Sequence, residues 1–363
     1  MQFTIEQIAQ SLGAVAEGQT DLTILRAAEP GDAGPTDLAM AMSPKYAEAL
    51  SGGSARAAVL WDGADWKSMG LAAAIFVQRP RMAMAGITTM LDRGQGVAEG
   101  IHPSAVIDPS AEIGDNVSIG PLAVVGPRAK IGAGSVIGPQ CSIGMDAVLG
   151  EHALLREMVS IGARVQIGAR FIAQPGARIG GDGFSFVTPE VSGAENVRKT
   201  MGDKGDAKDQ SWLRIHSLGA VEIGDDVEVG SNSTVDNGTI RNTVIGDGSK
   251  LDNLVHVGHN TRVGRDCLLC GLTGVSGSVE IGNNVILGGQ TGVVDNIFIG
   301  DGVISGGGTK ILSNVPAGRV IMGYPGVKME THTDIYKAQR RLPRIARDVE
   351  ALKKAVFKQP PSD

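Results

Sequence analysis

The stretch Ile113–Ile131, IGDNVSIGPLAVVGPRAKI, carries an aliphatic residue at every sixth position: Ile113, Ile119, Val125 and Ile131, each followed by glycine. A period of six matches neither the 3.6 of a helix nor the strict alternation of an amphipathic strand. It is the spacing of a parallel β-helix built from hexapeptide repeats, with a short strand and a corner in each hexad. Three hexads close one triangular coil, so each inward aliphatic side chain stacks on its counterparts one coil above and below. Glycine relieves crowding where the backbone turns.

Outward from this stretch the phase holds from Ile101 to Ile179, fourteen hexads without an insertion. It breaks, returns at Ile223, Val229 and Val235, slips by four residues across 239–243, and resumes from Ile245 to Ile311 for twelve more. The 29 hexads give close to ten coils, a prism ~45–50 Å long at the spacing of neighbouring strands. The composition agrees. Of 363 residues 52 are glycine and only 4% aromatic, which excludes a core of large rings, while 42% hydrophobic and 20% charged residues exclude general disorder. The glycines keep no every-third-residue period, so collagen is excluded as well.

The break, 182–213, holds Phe184, Phe186 and Trp212 around a polar middle. It reads as an extruded loop or hairpin, either a binding element or a spacer. Before residue 99 the hexad is absent. There Thr4–Leu12 reads as a short helix, and Ala57–Trp61 and Ala73–Val77 as buried strands. The expected organisation is a small α/β domain over 1–98, the β-helix over 99–324 with its insertion at about 182–213, and a helical extension over 325–363. Asp334–Phe357 is helical in composition, with Pro343 expected to kink or end the helix.

The net charge of −6 is uneven: residues 328–363 carry +4 and the preceding 327 carry −10. A basic tail on an acidic body suggests an anionic partner at one end; a solvated helix face accounts for the charge equally well. No signal pattern opens the chain, and no stretch reaches the roughly 18 apolar residues of a membrane span. Cys141, Cys267 and Cys270 cannot all pair, so a disulfide framework is not indicated and a cytoplasmic location is expected. Cys267 and Cys270 lack the second ligand pair that a structural zinc site needs.

The segments Ser43–Tyr46, Gly181–Phe184, Thr234–Asp236, Leu251–Asn253, Gly258–Asn260 and Gly288-Gly289 together resemble the UDP-3-O-acylglucosamine N-acyltransferases of lipid A biosynthesis over nearly the whole chain. The resemblance implies a mainly β fold with a left-handed β-helix, assembled as a homotrimer with active sites between neighbouring prisms. It also implies transfer of an (R)-3-hydroxyacyl chain from acyl carrier protein to the 2-amino group of a UDP-linked glucosamine. No cofactor or metal, nucleic acid or stable membrane insertion is implied.

An amine attacking a thioester needs a base for its proton and donors for the developing oxyanion. Of the six histidines, His259 matches the family's catalytic base. One full coil further on stands Gly277, whose N–H would be open to a thioester oxygen. Asp252 either faces the reacting groups or orients the carrier arm, or else caps a turn. Asn253, His256 and Asn296 fall in the expected sugar and acyl region, Asn296 where some relatives carry a second histidine. Tyr46 matches a tyrosine that stacks on uracil, the alternative being a buried structural residue. Met40 and Ser43 stand where relatives often have Phe and Asn in that uridine pocket. Arg340, Arg341, Arg344 and Arg347 form a basic face suited to docking the acidic carrier protein. The rival role for this tail is to zip the trimer through Leu342, Ile345, Val349 and Leu352. Three other functions share the repeat: the O-acyltransferase acting on UDP-N-acetylglucosamine, a carbonic-anhydrase-like trimer with intersubunit zinc, and a non-catalytic scaffold.

Overall fold

Inward aliphatic side chains build the solenoid. Along one sheet Ile119, Ile137, Leu155, Ala173, Val229, Leu251, Leu269 and Leu287 are each no more than 2% exposed, and each pairs with the next in parallel register. The computed structural model describes residues 2–356 apart from 95, 201, 207 and 324. Phe357 and the end of the expected extension lie outside the described residues.

Three parallel sheets of ten, ten and nine short strands form the walls of the prism. Within a run, partners lie three hexads apart, as in Val275 with Val293. Across the insertion the separation grows, with Ile167 pairing Ile223, and it grows again by four across the slip, with Ile223 pairing Ile245. The interruptions are therefore extruded at corners and leave the inward stack in register. The first members of the series depart from the expected burial: Ile101 is 52% exposed, and Ile107 and Ile113 are only partly buried. An end coil has a neighbouring coil on one side only.

The outward residues make the three walls chemically distinct. One wall presents Val136, Leu154, Ile172, Leu268, Ile286 and Ile304, interrupted midway by Glu228 and Lys250, and is the largely apolar face. A second presents Glu112, Lys130, Glu222, Arg262 and Glu280, with Lys130 and Glu112 paired at 2.9 Å, and is the charged face. The third carries Thr234, His256, Gly274 and Gly292 outward.

Residues Met1–Gly96 form a separate unit. Its five-stranded sheet runs in the order Val15–Gly18, Ala73–Val77, Ala57–Trp61, Asp37–Met40, Arg26–Ala28, parallel except for the first pair. Helix α1 (Ile5–Leu12) starts at a Thr4–Gln7 capping box and buries Ile5, Ile8 and Ala9. The unit also holds α2 (Pro44–Ala47), α3 (Pro80–Leu91), a 3-10 helix over Glu48–Gly52 and an antiparallel pair of Phe3–Thr4 with Thr23–Ile24.

The insertion is a hairpin of Phe186–Val187 against Leu213–Arg214 that also carries α4 (Gly193–Thr200). The C-terminal segment is one helix, α5 (Met329–Val356), with Pro343 inside it. The helix does not end at this proline. No residue of α5 is buried, so no tertiary contact crowds the turn that loses its hydrogen bond. Among the described residues no helix is long and apolar enough to cross a membrane.

Candidate active site

His259 occupies the turn after the strand His256–Val257, and Ser278 of the next coil donates its N–H to the His259 carbonyl at 2.8 Å. Stacking by one coil puts Gly277 directly against the imidazole. A β-carbon on Gly277 would stand 2.6 Å from Cε1 and 2.7 Å from Nε2. Towards the base of the ring a β-carbon on Gly183 would stand 2.7 Å from His259 Cβ. The imidazole is thus packed closely by two glycines, at its tip and at its base. Neither glycine has a positive φ, so it is close approach, not turn geometry, that requires them.

The Nδ1 atom of His259 is buried without a hydrogen-bond partner among the described residues, which leaves Nε2 to meet a ligand. Among the described residues the Gly277 N–H donates to no acceptor, whereas Ser276 and Ser278 on either side give theirs to Val293 and His259 carbonyls. A free backbone donor beside an imidazole is the pairing that acyl transfer requires.

These groups line a cleft of about 940 Å³. Asn296, His256 and Asp236 line it from the coils, and Phe184, Phe186, Trp212 and Ile215 from the insertion. Phe184 and Phe186 meet edge to face at 5.0 Å, and the Arg214 guanidinium lies 4.7 Å from the Phe186 ring. The insertion is therefore one wall of the cleft, which favours the binding reading over the spacer. His256 shares a 2.9 Å hydrogen bond with Thr234 Oγ1 and approaches Asp236 Oδ2 at 3.8 Å through Nε2. Burial pulls the His256 pKa below its ordinary range. Burial also pushes the Asp236 carboxyl up to about 6, opposed by nearby His259 and reinforced by Asp182.

Sequence reasoning misses Asp236 as a site residue, although it lies in the Thr234–Asp236 segment. Its place is one coil below Gly258, a relation that becomes visible only once the four-residue slip is counted. Gly183 has no periodic signal at all.

Asp252 and Asn253 are placed elsewhere in the chain. They line a shallow depression with Cys270 and with Lys250 and Glu228, which interrupt the largely apolar wall. Asp252 accepts hydrogen bonds from Gly271 N–H at 2.9 Å and Asn253 N–H at 2.7 Å, so within one chain it caps a turn. In the N-terminal unit Tyr46 is 55% exposed and Met40 8%. Tyr46 is therefore not a buried structural residue, whereas Met40 belongs to the core with Leu38 and Ile75. Ser43 is the half-buried residue before α2. Arg340, Arg341, Arg344 and Arg347 are exposed on α5.

A stacked-hexad prism with an imidazole and a free amide in one cleft defines a hexapeptide-repeat acyltransferase. The family model for bacterial transferase hexapeptide (six repeats) matches residues 122–157. The chain is 80% identical over the full length of both proteins to a UDP-3-O-acylglucosamine N-acyltransferase of Ruegeria pomeroyi. It is 66% identical, over 72% of this chain and 71% of the other, to one from Paracoccus denitrificans. Among solved structures, the UDP-N-acetylglucosamine O-acyltransferase of Moraxella catarrhalis aligns at 28% identity with a TM-score of 0.44, covering 72% of this chain and 92% of that one. This chain belongs to the UDP-3-O-acylglucosamine N-acyltransferase family, and it is an N-acyltransferase.

Proposed function

We propose that the enzyme transfers an (R)-3-hydroxyacyl chain from acyl carrier protein to the 2-amino group of a UDP-3-O-acyl-glucosamine, in the cytoplasmic steps of lipid A biosynthesis. The observation that carries the mechanism is the imidazole of His259 packed on Gly277, whose N–H is unclaimed among the described residues. The acceptor amine attacks the thioester carbonyl, and His259 takes its proton through Nε2. The Gly277 N–H donates to the oxyanion. As the tetrahedral intermediate collapses, the C–S bond breaks and His259 returns the proton to the leaving thiolate. Full-length enzyme given an acyl carrier thioester and UDP-3-O-acyl-glucosamine is expected to yield the N-acylated sugar, read by mass spectrometry. Exclusive acylation of a UDP-sugar hydroxyl would favour the O-acyltransferase reading instead.

A homotrimer is part of this reading. A wall that presents half-buried Leu154, Ile172 and Ile286 and exposed Leu268 and Ile304 is suited to cover by a second chain. The Asp252–Asn253 depression beside that wall would then face a neighbouring prism, offering the family's intersubunit site a contribution from a second chain. Helix α5 points the same way. Ile335, Leu342, Ile345, Val349, Leu352 and Val356 recur at spacings of seven, three and four, each at least 45% exposed, which is the seam of a coiled coil. At 100° per residue Arg340, Arg344 and Arg347 fall on the opposite side of the helix. The two roles weighed for the tail are thus compatible: one face zips and the other docks the carrier.

Replacing Arg340, Arg344 and Arg347 together with Glu is expected to raise the KM for acyl carrier protein by ~3–10-fold at low salt, since exposed charges act mainly on encounter. Added salt should mimic this in the wild type. The check is steady-state kinetics with sedimentation, the variant remaining trimeric. An unchanged carrier KM in a trimeric variant would assign the tail to assembly alone.

A further inference from the structure

Asp236 is an anion in the cleft that the base-and-oxyanion mechanism does not use. Its side chain is only 14% exposed. Among the described residues no hydrogen bond reaches its carboxylate, and its ionic neighbour, His256 Nε2, stands off at 3.8 Å. Burying a carboxylate without compensation is costly, and the raised pKa of this group has that cause. His256 compensates poorly, because burial disfavours its charged form and its Nε2 stands beyond hydrogen-bond distance. A second carboxylate, Asp182, adds repulsion, although Arg214 lies 4.0 Å from it. Among the described residues no guanidinium or ammonium pairs with Asp236, which sits beside the imidazole of the catalytic base.

The acceptor in the proposed reaction can supply a cation. A sugar 2-amine is largely a primary ammonium at neutral pH, whereas a sugar hydroxyl is uncharged. We propose that Asp236 receives the 2-ammonium group of the acceptor and makes this cleft select an amine over a hydroxyl nucleophile. The inference rests on the amino-sugar reading above and names the residue that carries its specificity. The protons balance. The ammonium loses one proton through Asp236 to solvent and becomes the nucleophile. It loses a second to His259 as the amide forms, and that proton leaves on the thiol. The products are the amide, the free thiol and one proton.

The test is binding to the full-length enzyme without acyl donor, so that no turnover intervenes. Calorimetry compares UDP-3-O-acyl-glucosamine with the analogue that carries a hydroxyl in place of the 2-amine. Wild type is expected to prefer the amine by at least ~10-fold, the scale of a charge-assisted hydrogen bond in a desolvated site. Asp236→Asn is expected to weaken the amine ligand by ~10–100-fold and the hydroxyl analogue by less than ~3-fold, and Asp236→Glu to restore part of the preference. Equal weakening of both ligands would make Asp236 a structural support and overturn the inference, as would no change in either.

Thermal stability of Asp236→Asn should be no lower than wild type at pH 7. The folded chain holds the Asp236 proton up to about 6 against an ordinary 3.8, so ionising it costs stability as pH rises between those values. The amide removes that cost. Should the variant nonetheless fail to fold, the wild-type ratio alone decides: equal affinity for the two ligands overturns the inference. Wild type that binds neither ligand would instead refute the amino-sugar reading itself.

Discussion

His259→Ala is expected to lower kcat by ~10²–10⁴-fold, the usual range for loss of a positioned general base. The KM for the UDP-sugar should move little, because the imidazole is one small part of a cleft of about 940 Å³ with aromatic walls. The fold should be unaffected. His259 is half-exposed at a corner, and the inward stack of Val257 on Val275 does not involve its side chain. Steady-state kinetics beside a thermal melt make the check. A folded variant keeping more than about a tenth of wild-type turnover would remove His259 from the mechanism.

Gly277→Ala should have an effect of similar kind by a different route. The new methyl would fall 2.6–2.7 Å from Cε1 and Nε2 of His259, inside van der Waals contact, so one of them must move. Gly183 also packs closely on the ring, where a β-carbon would crowd Cβ and Cγ, so the space into which the imidazole can retreat is limited. A displacement near ~1 Å at a reacting group costs on the order of 10²-fold, and kcat is expected to fall by about that much. The double variant separates this from general damage. If Gly277 acts through the position of His259 and the oxyanion, Gly277→Ala should cost little further in the His259→Ala background, since groups acting as a unit are not additive. Multiplicative losses would show instead that the alanine harms the coil independently.

Much of the architecture was legible in the residues. A period of six has one structural solution, and each inward aliphatic side chain needs only its counterpart one coil away. The pattern therefore gave the prism, the coil count, the four-residue slip near 239–243 and the stacking of Gly277 on His259. It also showed that the repeat is interrupted after Ile179, although the hairpin runs past the expected end at 213 to Arg214 and the stack resumes at Val221. Local rules likewise served in the N-terminal unit, where Ala57–Trp61 and Ala73–Val77 are continuous apolar runs and form buried central strands. At Pro343 the boundary alternative does not hold, since the helix continues through it. The cost of the proline is real, but a solvent-exposed helix can absorb it without ending.

What only the tertiary structure decided concerns groups whose neighbours are set by more than one interruption of the repeat. Asp236 meets the His259 site across a coil that the slip lengthens, and Gly183 reaches the imidazole from a loop that has no period. Asp252 stands near His259 in sequence yet belongs to another corner of the triangle, because one hexad carries the chain to the next wall. Periodicity determines which side chains face inward, since every inward position has the same neighbours. It leaves open what a cleft collects at its surface, where coils, slip and insertion converge and where burial, His259 and Asp182 together act on the carboxyl of Asp236.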